Sequence, residues 1–181
     1  MKISQSIPQY VNFAAIVSAT EPDWSREQCQ RWWHPSTQLL RSIRQYQKWR
    51  DRGVVGRVIS KFWVLQHRFW SVVTATDIPI TCNIAGGLLM PHPTGVVINP
   101  SAQIGPNCAI FQQVTIVADV FIGGHVDIGA GAKIIRGVTI GNHVQIGANA
   151  VVLNNVPAGA VVVGIPARVV RYVEPYASQR R

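Results

Sequence analysis

Broken every six residues, the stretch Ile98–Pro157 reads INPSAQ IGPNCA IFQQVT IVADVF IGGHVD IGAGAK IIRGVT IGNHVQ IGANAV VLNNVP. Nine of the ten leading positions, Ile98 to Ile146, are Ile, and the tenth is Val152. Four residues after each stands a small or β-branched residue, from Ala102 and Cys108 to Ala150 and Val156. Gly directly follows the aliphatic residue at Gly105, Gly123, Gly129, Gly141 and Gly147. A helix repeats its apolar positions near 3.6 residues and a two-sided strand near 2.0. Period six suits a coil of three short strands with a turn after each. One coil then takes 18 residues, and successive coils stack as parallel strands roughly 4.8 Å apart. The aliphatic residues point inward and stack on their equivalents, and Gly relieves crowding at the turns. The predicted fold is a mainly β, hexapeptide-repeat solenoid: a parallel β-helix whose coils contact only their neighbours.

The same frame runs backwards through Val96, Met90, Ile84 and Ile78, but out of phase with Ile98 by two residues. An irregularity is therefore expected within MPHPTGVV, residues 90–97, where two prolines and a glycine surround His92. A loop on a regular scaffold is where function tends to sit.

Of the 181 residues, 48% are apolar and 14% charged, against about 25% charged in an average domain. Intrinsic disorder is excluded by that apolar content. The formal charge of +9 raises the question of nucleic acid, yet no motif of that class accompanies it. The charge is unevenly placed: residues 1–76 hold 11 basic and 4 acidic residues, with all six Trp. This N-terminal α-helical segment (1–76) has helical patterns over Thr37–Asp51 and Val54–Thr74, separated by Gly53. In the second, Val55, Val58, Ile59, Phe62, Trp63, Phe69 and Trp70 mark an apolar side. Arg57, Lys61, His67 and Arg68 mark the other. Such basic, aromatic helices suit either core packing or peripheral contact with an anionic membrane. Residues 77–170 form the β-helix domain. Residues 158–181, ending in the tail 171–181, are expected to cover the edge of the final coil.

Cys29, Cys82 and Cys108 form no CxxC pair, which argues against a disulfide framework or zinc site and for a reduced, cytoplasmic setting. Cys82 and Cys108 occupy inward slots of the hexad frame. No convincing signal peptide is read at the N-terminus. His125 and His143, 18 apart, are expected to form an exposed polar ladder with Asn107 below rather than a metal site.

Three stretches resemble the left-handed β-helix acyltransferases of the serine acetyltransferase-like branch. They are DIPITCNIAGGLLMPHPTG at Asp77–Gly95, the hexads containing GAGAK at Gly129–Lys133, and VGIPARVV at Val163–Val170. The resemblance implies a left-handed parallel β-helix, acetyl-CoA as co-substrate with no metal, and a homotrimer. It also implies His92 as general base with Asp77 holding its imidazole, and cofactor contacts at Ala130, Ala148 and Arg168. His is the side chain whose ordinary pKa lies nearest neutrality, as deprotonating an acceptor hydroxyl requires. Three departures bear on the acceptor. The family generally has Asp before its catalytic His, where Pro91 stands, and Glu eight residues after it, where Pro100 stands. It also inserts a loop with an Arg-His pair where this chain runs directly through VTIVADVFIGG at Val114–Gly124. Those residues are associated with gripping an amino acid. Their absence points to transfer of acetyl to a hydroxyl of a sugar or glycan, as in polysaccharide biosynthesis. Serine O-acetylation in cysteine biosynthesis is the alternative, and a non-catalytic β-helix serving as an assembly or binding module is a further one. The expected setting is cytoplasmic, and contact of the basic helices with the inner membrane face would be natural for a lipid-linked acceptor.

Overall fold

The computed structural model describes residues 17–28 and 33–173; Cys29 and the tail beyond Val173 lie outside them. The hexads form two-residue strands whose second member points inward and is buried. The strands make three faces. The first stacks Val97–Ile98, Thr115–Ile116, Lys133–Ile134 and Val151–Val152. The second stacks Asn83–Ile84, Gln103–Ile104, Phe121–Ile122 and Thr139–Ile140. The third stacks Ala109–Ile110, Asp127–Ile128 and Gln145–Ile146, then Ala160–Val163. Pairing is parallel with an 18-residue register, so Ile98, Ile116, Ile134 and Val152 superpose in one inward column. Fully buried aliphatic columns of this kind are the main stabilising term of the solenoid.

Each turn is made two residues after the glycine position rather than at it. Asn107, Gln113, Asp119, His125, His143 and Asn149 have φ between 52° and 60°, with Gly131 and Gly137 at equivalent places. Asn, Asp and His tolerate this left-handed region better than most residues. The glycines after Ile serve close approach instead. A Cβ on Gly105 would lie 2.5 Å from the Gly123 carbonyl carbon. The crowding expected there is real, but it arises between coils.

The phase slip takes a definite form. Asp77, Asn83 and Leu89 pair with Val97, Gln103 and Ala109, a register of 20 instead of 18. Between third and first face, later coils use four residues (111–114, 129–132, 147–150), whereas the first uses six, residues 91–96. The two extra residues bulge at His92.

At the other end of the solenoid, the strand Arg168–Tyr172 folds back antiparallel on Ala160–Val163, covering the last strand edge as expected. The first coil is capped by helix α1 (Pro35–Trp49), whose Leu39, Leu40 and Ile43 join the solenoid core. The Arg44 guanidinium donates to the Ile84 and Ala85 carbonyls and pairs with Glu27 at 2.8 Å. Glu27 also accepts the Leu88 N–H, so one half-buried ion pair satisfies the exposed edge of the first coil.

Helix α2 (Gly53–Thr74) corrects the expected facing of its side chains. Its buried side is Gly56, Ser60, His67, Trp70 and Thr74. Val55, Val58, Phe62 and Phe69 face outward. A Cβ on Gly56 would lie 2.3 Å from the Trp49 carbonyl oxygen, so glycine there lets α2 pack closely against the end of α1. His67, placed by pattern on the polar side, is buried. Its Nδ1 meets the Ser42 hydroxyl at 3.0 Å and its Nε2 the Ile78 carbonyl at 2.8 Å.

Burial lowers the His67 pKa below 6.5, against a smaller upward pull from the Ile78 carbonyl. The unfolded chain therefore takes up a proton, as pH falls below 6.5, that the folded chain refuses. Stability is complete above that pH and declines towards the depressed folded value. Urea midpoints measured from pH 7.5 to 5.5 should fall, and fall less in His67→Gln.

Candidate functional site

His92 and Asp77 sit on adjoining segments. The Asp77 N–H donates to the Val96 carbonyl and the Gly95 N–H to the Ala75 carbonyl, at 2.9 and 2.8 Å. Both side chains are exposed, and no hydrogen bond or ion pair joins them. Asp77 instead bears on Cys82: burial chiefly, and then the Asp77 charge, push that thiol up to about 11. Catalytic hydrogen bonds are often long in ligand-free structures and tighten with substrate.

The corner carrying His92 continues upward through the coils as one edge of the prism. The Gln113 N–H donates to the Thr94 carbonyl, Gly131 to Gln112, and Asn149 to Ala130, at 2.8 to 2.9 Å. Thr94, Gln112, Ala130 and Ala148 therefore stand on successive levels of that edge, with His92 in the bulge at its lowest level. At roughly 4.8 Å per coil, Ala148 lies about 14 Å along it from His92. The structure thus aligns the two Ala positions with Gln112 and Thr94, and His92 lies in the bulge two residues before Thr94. Arg168 follows the Gly164–Ala167 turn, whose backbone is tied to Val151 at 3.0 and 2.8 Å just past the top of the edge. It is exposed and donates to the Ala167 carbonyl.

Two residues of this edge escaped the sequence reading. Gln112 Oε1 is buried with no hydrogen-bond partner, unlike any other side-chain polar atom among the described residues. A buried carbonyl left without a donor costs about 1–3 kcal/mol, so this oxygen is free to accept a further hydrogen bond. The 18-residue spacing of Gln112, Ala130 and Ala148 was the available signal. Lys133, within the GAGAK motif, crosses the edge with its ammonium on the Gln113 and Gly131 carbonyls at 2.8 and 2.9 Å.

Beside the corner, next to Pro91, a cavity of about 350 Å³ opens between the third face and the N-terminal segment. Its polar lining includes Ser25, Arg26, Gln28, His34, Ser36 and Thr37. Arg26 is held by the Gly87 and Asn107 carbonyls at 2.9 and 3.0 Å. Among the described residues, no carboxylate lines the cavity.

The expected exposed ladder is corrected. Asn107 is fully buried, accepting the Asp23 N–H and donating to the Ser18 and Glu21 carbonyls. His125 and His143 are half-buried with their Nδ1 atoms 2.9 Å apart. Burial lowers both pKa values, so one neutral ring donates to the other. No group of three or more His, Cys, Asp or Glu among the described residues is arranged to hold a metal ion.

No protein-family model matches the chain. The serine acetyltransferase of Mycobacterium tuberculosis is 38% identical over 115 residues, 59% of this chain and 50% of the relative. That of Escherichia coli K12 is 37% identical over 108 residues, 55% and 40%. Among solved structures, a serine acetyltransferase in complex with CoA superposes with a TM-score of 0.65 and 31% identity. It covers 76% of this chain and 57% of that one. The β-helix is serine acetyltransferase-like. A serine acetyltransferase from Neisseria gonorrhoeae (TM-score 0.67, 29% identity) covers 82% of this chain and 60% of that one. The chain spans about half the length of the curated relatives it matches. None of those quoted is a sugar acetyltransferase.

Within this serine acetyltransferase-like β-helix, Cys108 is as inert as Cys82, its thiol pushed up to about 12, chiefly by burial. In a Cys29→Ser background, native protein at pH 8 should therefore react negligibly with a thiol-specific disulfide reagent. Two thiols should appear on denaturation.

Proposed function

We propose that the protein is an acetyl-CoA-dependent O-acetyltransferase with His92 as general base. The observation that carries this reading is the two-residue bulge, which sets His92 at the foot of an edge bearing small residues and an unpartnered buried carbonyl. Acetyl-CoA as donor is supported by the relatives' names and by the neighbour solved in complex with CoA. The edge fits the donor. Ala130 and Ala148 leave backbone accessible, the Gln112 Oε1 offers an acceptor to an amide N–H, and Lys133 and Arg168 offer positive charge towards phosphates.

In the reaction, the His92 imidazole takes the proton from the acceptor hydroxyl as its oxygen attacks the thioester carbonyl. The C–S bond breaks, and the imidazolium returns that proton to the departing sulfur. Asp77, on the adjoining segment, orients the ring and stabilises the imidazolium once the acceptor is bound. A homotrimer would close the groove against a neighbouring copy. The outward apolar ladder Val117, Ile135 and Leu153 is available for that contact. The cytoplasm is the compartment proposed.

The relatives make L-serine the leading acceptor. A sugar hydroxyl is the second reading, favoured by Pro91, Pro100, the uninterrupted coil from Val114 to Gly124, and the hydroxyl-lined cavity without a carboxylate for an ammonium group.

An acceptor screen with acetyl-CoA and thiol detection tests both readings. Acetylation of serine, with sugars inert, upholds the first, and the reverse upholds the second. His92→Ala should lower kcat by about 10²–10⁴-fold, the usual contribution of a general base, with little change in KM for acetyl-CoA. Undiminished transfer in that variant would refute the mechanism.

A further inference from the structure

We propose that the outer face of α2 docks on an anionic lipid bilayer. Val55, Val58, Phe62, Leu65, Phe69 and Val72 follow one another at alternating spacings of three and four residues, forming a continuous stripe along the helix. Each is more than half exposed, from 52% for Phe69 to 81% for Val72, and Val54 adds to the same side. Isolated exposed apolar residues are ordinary, but a contiguous helix-long stripe marks an interaction surface.

Charge selects the occupant. At 100° per residue, Arg57, Lys61 and Arg68 fall together along one flank of the stripe, and all three are exposed. The 22 residues of α2 contain no Asp or Glu. Over residues 33–76 there are eight basic residues against the single acid Asp51, and Asp51 is paired with Arg50. A second α2 is a poor occupant. In a two-fold antiparallel pair each flank meets its own copy, setting Lys61 and Arg68 of both helices against each other. In any orientation the partner helix brings no carboxylate. An anionic membrane supplies both missing elements, acyl chains for the stripe and phosphates for the cations. No helix among the described residues is long and apolar enough to cross a membrane, so α2 lies along the surface. Its C-terminal cap joins the His92 corner directly, through the bond from the Gly95 N–H to the Ala75 carbonyl. Docking would therefore hold that corner near the lipid surface.

The test is co-sedimentation of the full chain with phosphatidylglycerol/phosphatidylcholine vesicles and with pure phosphatidylcholine vesicles, over a salt series. Binding to the anionic vesicles is expected to weaken with salt and to exceed binding to neutral vesicles by about tenfold or more. The Leu65→Gln/Phe69→Gln and Lys61→Gln/Arg68→Gln pairs should each weaken it by at least about tenfold, with the circular dichroism and oligomeric mass unchanged. Absence of binding to anionic vesicles, or binding indifferent to both pairs, would overturn the proposal. So would a fall in oligomeric mass in the Leu65/Phe69 pair, which would assign the face to a second copy of the chain. None of these overturning results touches acetyl transfer, which is assayed separately.

Discussion

Stacking of the aliphatic columns at an 18-residue register governs everything else in this molecule. Each inward Ile is buried only if the coil above places its own Ile directly over it, so every coil must close in the same number of residues. That demand puts left-handed backbone at the eight successive turns from Asn107 to Asn149, hence Asn, Asp, His or Gly there, with Gln113 the least expected occupant. It also forces glycine where coils approach, as Gly105 does Gly123. Any extra residue has to be expelled from the column. The first coil contains two of them, both at the corner bearing His92, so the site is the place where the repeat is allowed to fail.

The same regularity extends the site along one edge. Between Val97 and Val152 the register is 18, so Gln112, Ala130 and Ala148 lie on one line above Thr94, beside the bulge that carries His92. A long, narrow co-substrate with its reactive end beside an imidazole suits such a line, and a compact metabolite alone would not use it. The cavity proposed for the acceptor is built differently, from the third face and the N-terminal segment. Selectivity for the acceptor can therefore change without disturbing the donor groove.

The solenoid was legible because its signal is redundant: ten hexads repeat one requirement, and the two-residue slip at Val96–Ile98 shows as a break in that count. Pairing of Asp77 with Val97 confirms the slip in three dimensions. The helices carry no comparable redundancy. An apolar stripe at Val55, Val58, Phe62 and Phe69 has the spacing of a core face, and periodicity alone does not tell which side meets α1. The opposite side carries Gly56, which permits close approach to the end of α1, and His67, bonded within the interface. Asn107 was misjudged for a related reason. Its burial comes from Ser18, Glu21 and Asp23, partners 84 to 89 residues away that no hexad count reveals. Gln112 was missed because it is unremarkable in sequence and becomes informative only as a buried carbonyl without a donor.

Placement of the donor along the His92 edge is the claim on which the functional account turns, and a crystal structure with CoA bound tests it most directly. The account predicts the CoA sulfur within hydrogen-bonding reach of His92, with the pantetheine arm running past Gln112, Ala130 and Ala148. CoA seated on another edge of the prism, with its sulfur remote from His92, would contradict it.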